Sequence, residues 1–104
     1  MVKYESTRNR KEIVSAHEAV IHGLAGDGGL YTPEKIEGHI DPKEILNCSY
    51  QETAARIIGT MLDDYSAEEI RACVEGAYDQ KFDTKEIVPL RKISDGWLME
   101  LWHG

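Results

Sequence analysis

A Ser or Asp followed three positions later by Glu recurs five times in these 104 residues: Ser15–Glu18, Asp41–Glu44, Ser49–Glu52, Ser66–Glu69 and Asp83–Glu86. At a helix start the first side chain takes an orphan amide of the opening turn, and the glutamate reaches back to the amide of the first residue. Starts spaced this closely confine the chain to several short helices. Pro42, directly after Asp41, suits a first helical position. Ile40, Tyr65 and Phe82 precede three of the boxes and stand where each can staple onto Ile45, Ile70 or Ile87.

Two of these starts lead into clear amphipathic periodicity. After Ser49 the apolar positions are Ala54, Ile57, Ile58, Met61 and Leu62; after Ser66 they are Ile70, Cys73, Val74, Ala77 and Tyr78. Both follow the three-four spacing of a helix with one buried face. Only Asp63-Asp64-Tyr65 separates them, so a helical hairpin packed face to face is predicted. A shorter helix from Ser15 to His22 ends at Gly23, one of a turn or two follows Asp41, and a segment after Asp83 is halted by Pro89. Strand signals sit at Val2–Thr7, at Leu30-Tyr31-Thr32 and at Trp97–Trp102. The last is apolar on nearly both faces, as in a strand buried between layers. The fold class read from this pattern is α+β: one mostly helical small domain over residues 1–104, with a helical hairpin and a small sheet joining the two termini.

The net charge of −7 opposes binding to a bare phosphate backbone, and the short cluster Lys3, Arg8, Arg10, Lys11 reads as a solvated segment. Cys48 and Cys73 form no CxxC pair, and Cys73 falls on the apolar helix face as a small buried hydrophobe. His17, His22, His39 and His103 are scattered, so no metal site is expected. No run approaches a membrane span and no signal peptide opens the chain, which fits a cytoplasmic protein.

The most distinctive stretch is Gly23-Leu24-Ala25-Gly26-Asp27-Gly28-Gly29-Leu30-Tyr31-Thr32-Pro33. Its glycine density suits a loop that leaves a helix and enters a strand, or a nest of amides around an anion. It matches neither a P-loop nor a dinucleotide fingerprint, and spacing favours the structural loop. Ser6-Thr7-Arg8 has hydroxyls and a guanidinium suited to phosphate, although such triplets are common. Asp63-Asp64 reads as a solvated turn, and Glu68-Glu69 as acids favoured by a helix dipole.

Several of these segments, in this order and spacing, resemble the longer class of threonine synthases. Lys3-Tyr4-Glu5-Ser6-Thr7-Arg8 is similar to that family's first strand, and the stretch from Ala19 to Pro33 resembles its Gly-Leu-Ala-x-Asp-Gly-Gly-Leu-Tyr-x-Pro signature. Ser49-Tyr50, Ala77-Tyr78, Phe82-Asp83 and Ile87-Val88-Pro89-Leu90 follow at matching places. Leu98-Met99-Glu100-Leu101-Trp102-His103-Gly104 resembles Leu-Glu-Leu-Phe-His-Gly. Gly26 stands where the family has Pro, and Trp102 where it has Phe.

The resemblance implies a pyridoxal-phosphate lyase that converts O-phosphohomoserine and water into threonine and phosphate, with the cofactor held on a lysine. In the family that lysine follows the His-Gly that here is His103-Gly104, so no catalytic residue is expected within the chain. Lys3, Lys11, Lys35, Lys43, Lys81, Lys85 and Lys92 all match it poorly. The resemblance therefore implies an amino-terminal module, truncated before the catalytic domains that are its partners, inactive by itself and binding no cofactor alone. Asp27, Gly28, Gly29 and His103 are its substrate-proximal candidates. The alternatives are the front end of a threonine-synthase-like phospholyase acting on related phosphorylated amines, and a non-catalytic protein-interaction domain. An apolar strand left uncovered would also invite self-association with a second copy.

Overall fold

The computed structural model describes residues 1–80 and 85–101. The chain opens with β1 (Lys3–Ser6) and β2 (Ile13–Ser15), followed by α1 (Ala16–His22) and β3 (Tyr31–Pro33). A short α2 (Pro42–Ile45) precedes α3 (Tyr50–Met61) and α4 (Ala67–Ala77), and the chain closes on β4 (Leu90–Ile93) and β5 (Gly96–Met99). The α+β reading holds, with helices the larger share.

The boxes at Ser15, Ser49 and Ser66 are complete: each serine accepts from the amide of its glutamate, and each glutamate reaches back to the serine amide. Those bonds, the serine amide first, hold Glu18, Glu52 and Glu69 below the ordinary carboxylate pKa. Asp41 caps α2 through the Lys43 amide instead. The pair at Asp83 lies outside the described residues. Residues 85–89 are not helical, so the expected helical segment before Pro89 is not formed there. The β-branched Ile87-Val88 and then Pro89 lead straight into β4.

The first strand is central in its sheet, not a link between the ends of the chain. The order is β2-β1-β3, antiparallel throughout, with Tyr4 opposite Val14 on one side and Pro33 on the other. The last strand pairs only with β4, in a separate two-stranded sheet. The expected sheet joining the termini is thus replaced by two sheets, because each terminal strand finds an antiparallel neighbour close in sequence. β2 and β4 have no counterpart in the sequence reading: β2 is three residues long, and Leu90-Arg91-Lys92-Ile93 shows no alternation.

α1 packs on the first sheet around Tyr4, Ala16 and Ala19, with Val2, Val14, Tyr31 and Leu62 against them. The Tyr4 hydroxyl donates to the Met61 carbonyl at 2.9 Å, tying β1 to the end of α3. Asp64, in the turn after α3, accepts the His17 amide at 2.8 Å and so supplies a first-turn amide of α1. Asp63 accepts the Val2 amide with both oxygens, at 2.9 and 3.0 Å. The Asp63-Asp64 turn is therefore a clasp between the helical hairpin and the sheet. α3 and α4 pack face to face as predicted, with Ile70 and Val74 buried. Cys73 is exposed, contrary to expectation: it lies on the flank of that narrow stripe, beyond α3.

The β4–β5 hairpin turns at Ser94-Asp95, with Ser94 at φ +28°. Leu90, Ile93, Trp97, Leu98 and Met99 are all exposed, so the strand expected to be buried between layers is open on both faces. The chain's surface, 8267 Å², compares with roughly 5,900 Å² for a compact monomer of its mass. Its radius of gyration, 16.2 Å, exceeds the roughly 13 Å of a compact domain of this length.

Candidate functional site

The glycine-rich stretch folds into a closed loop between α1 and β3. Gly23 ends α1 at φ +71°, its amide donating to Ala19. Leu24 and Leu30 then form an isolated antiparallel bridge that shuts the loop at its base. Inside it the Gly28 amide donates to the Ala25 carbonyl at 2.8 Å, and the Ala25 amide to the Gly29 carbonyl at 3.0 Å. Gly28 has φ +79°, a conformation that favours glycine.

β3 lies beside β1 with Ser6 opposite Tyr31, which brings Ser6-Thr7-Arg8 against this loop. The Ser6 hydroxyl donates to the Asp27 carboxylate at 2.7 and 2.9 Å, and Ser6 is fully buried. The Gly29 amide donates to Asp27 Oδ1 at 2.8 Å. Thr7 and Leu30 exchange two bonds: the Thr7 amide to the Leu30 carbonyl, and the Leu30 amide to Thr7 Oγ1. Arg8 donates its amide to Ser6 Oγ at 3.2 Å and its Nη1 to the Asp27 carbonyl at 3.1 Å. A Cβ at Gly29 would collide with Ser6 Oγ, so only glycine lets the two segments approach this closely.

The electrostatics follow from these bonds. The Ser6 hydroxyl, then the Gly29 amide, then the charge of Arg8 hold the Asp27 carboxyl below its ordinary pKa. The amides of Gly28, Gly29 and Leu30 all donate within the loop and its neighbouring strand. The anion this loop holds through the Gly29 amide is its own, the carboxylate of Asp27.

Asp27, Gly28 and Gly29 are thus brought together with Ser6, Thr7 and Arg8, while His103 lies outside the described residues. Both segments stand out in the sequence, but nothing in it joins them, since the bond between Ser6 and Asp27 spans 21 positions. Elsewhere, α3 and α4 flank an open groove over Ile70 and Val74, edged by Arg56, Arg71 and Glu52. Glu52 is already committed to the helix cap. Among the described residues no cluster of His, Cys, Asp and Glu is placed to hold a metal ion, and no helix is long and apolar enough to cross a membrane.

A Schiff-base lysine works in an enclosed, desolvated site. Lys3, Lys11, Lys35, Lys43, Lys85 and Lys92 are all exposed.

Residues 3–78 match the family model described as threonine synthase N terminus, well over half of the chain. This chain belongs to the threonine synthase family. As a threonine synthase amino-terminal domain it is 31% identical over 114 residues to the threonine synthase of Methylobacillus glycogenes, covering 99% of this chain and 24% of that protein. It is 32% identical over 93 residues to threonine synthase-like 1 of Mus musculus, covering 84% of this chain and 12% of that protein. The fold superposes on the crystal structure of pyridoxal-phosphate-bound threonine synthase from Brucella melitensis with a TM-score of 0.84, at 28% identity, covering 100% of this chain and 23% of that one. The chain therefore spans about a quarter of the length of the threonine synthases it matches.

Proposed function

We propose that this chain, as one domain over residues 1–104, is the docking module of a cytoplasmic pyridoxal-phosphate enzyme that converts O-phosphohomoserine and water into threonine and phosphate. The observation that carries this reading is the β4–β5 hairpin. Trp97, Leu98 and Met99 are 65%, 49% and 55% exposed, on a chain with far more surface than its mass calls for. A two-stranded ribbon with apolar side chains on both faces is marginal in water, and catalytic domains of the same polypeptide would cover it.

On this reading the cofactor, when bound, supplies the electron sink for the chemistry, and it is held outside this chain, since none of the described lysines is enclosed. The module scaffolds the reaction and is inert alone. Asp27, Gly28 and Gly29 are assigned to the substrate-proximal rim, and His103 joins them from the family pattern. An assay of phosphate release from O-phosphohomoserine with added pyridoxal phosphate tests both parts. Turnover is expected from the intact gene product and none from residues 1–104. Turnover by the module alone, or its absence in the intact product, overturns the proposal.

A second reading, a threonine-synthase-like phospholyase, is favoured by the match to the mouse threonine synthase-like protein. A panel of phosphorylated amines on the intact product separates the two.

A further inference from the structure

The triplet Ser6-Thr7-Arg8 has the composition of a phosphate site, but its three side chains are in different situations. The Ser6 hydroxyl is buried and spent on Asp27, whereas Thr7 is exposed and its Oγ1 accepts the Leu30 amide. Arg8 is exposed, and it carries the one charged group of the triplet. It is held at both ends: the backbone amide by Ser6 Oγ, the Nη1 by the Asp27 carbonyl. It lies across Gly28, where an added Cβ would stand 3.0 Å from Nη1 and 3.8 Å from Cζ. Glycine at 28 therefore permits this placement as well as the turn.

An arginine side chain has five N–H donors in a planar fork. Among the described residues one of them is engaged, by the Asp27 carbonyl, and no carboxylate lies within ion-pair distance of the guanidinium, whose charge acts on the Asp27 carboxylate from farther off. Arg10, two residues on, differs: its Nε sits 3.7 Å from the Glu5 carboxylate. The Asp27 carboxylate beside Arg8 is turned inward, onto Ser6 and the Gly29 amide. Fixing a flexible side chain before a ligand arrives removes much of the ordering cost of binding.

We propose that Arg8 is an oxyanion-binding residue whose free guanidinium edge takes the phosphate group of a phosphorylated amino acid. The proposal rests on the reading above for the identity of that substrate. The guanidinium site itself is independent of it. Asp27, Gly28 and Ser6 act as positioning residues for Arg8.

The test uses two arms. In the first, inorganic phosphate is titrated into the isotope-labelled chain against chloride at matched ionic strength, with the Arg8 Nε resonance as readout. A saturable shift is expected in the native chain, lost in Arg8→Gln, weakened several-fold in Arg8→Lys, and unchanged in Arg10→Gln. Retention of the core resonances of Tyr4 and Ala16 shows that a variant is folded. Absence of a saturable shift in the native chain, or its persistence in Arg8→Gln, overturns the proposal. In the second arm, Arg8→Gln in the intact gene product is expected to raise KM for O-phosphohomoserine several-fold with kcat little changed, and an unchanged KM counts against the substrate assignment. Should the intact product lack threonine synthase activity while phosphate still saturates Arg8, the functional reading fails and the site stands. With activity present and both readouts indifferent to Arg8→Gln, the site fails alone.

Discussion

The buried hydroxyl of Ser6, on the first strand, donates to both carboxylate oxygens of Asp27, in the loop before the third, at 2.7 and 2.9 Å. This bond joins two segments that the sequence shows only as separate motifs. It also decides what the glycine-rich loop does: the carboxylate fills the position that a nest would offer to a foreign anion, and the guanidinium of Arg8 is left facing outward.

The same bond makes part of the stability depend on acid. Asp27 has its folded pKa lowered below the ordinary 3.8, by Ser6 first and the Gly29 amide second. A depressed carboxylate contributes its full stabilisation above the unfolded value and loses it as pH falls through the folded value. The stability gap between the native chain and Ser6→Ala should therefore shrink as pH drops below 3.8. Urea unfolding at a series of acidic pH values checks this, and a gap independent of pH would count against the bond.

Gly29→Ala places a methyl group against Ser6 Oγ, with Asp27 Oδ1 at 2.9 Å and Thr7 Oγ1 at 3.1 Å. Overpacking of this kind costs about 1–3 kcal/mol. Chemical denaturation should show that loss. Gly76→Ala, where an added Cβ meets nothing within 4 Å, serves as the matched control and should not destabilise.

Ile70 is one of two buried residues holding α4 against α3. Ile70→Ala should lower unfolding free energy by about 2–5 kcal/mol, the range for truncating a buried aliphatic side chain. Cys73→Ala, on the exposed flank, should stay within about 0.5 kcal/mol of the native chain. Equal effects at the two positions would mean the helical hairpin packs on a different face.

The β4–β5 hairpin predicts a separation of stability from association. Trp97 is 65% exposed, so Trp97→Ser should change the stability of residues 1–104 by no more than about 0.5 kcal/mol. Sedimentation velocity should show the native chain self-associating through the uncovered ribbon and the variant doing so less. A strictly monomeric native chain at high concentration would remove this expectation.

Local chemistry made much of this architecture legible in the order of residues. The serine–glutamate boxes at Ser15, Ser49 and Ser66 act within one turn, and the stripe that contains Ile70 and Val74 repeats at the helical period, so α1, α3 and α4 needed no distant partner to be recognised. Gly23 ends α1 for an equally local reason, its accessible positive φ. Pairing was another matter. β2 is too short to show alternation, and β4 shows none. Whether Trp97–Met99 lies between layers or on a bare ribbon depends on what packs against it, which no periodicity encodes. The site divides along the same line. The glycine density of the loop and the Ser6-Thr7-Arg8 triplet were visible one by one, but a hydroxyl, a carboxylate and a guanidinium become one network only when antiparallel pairing of β1 with β3 closes the distance between them. Short-range hydrogen-bonding rules are written into neighbouring residues; long-range contact is a property of the folded chain alone.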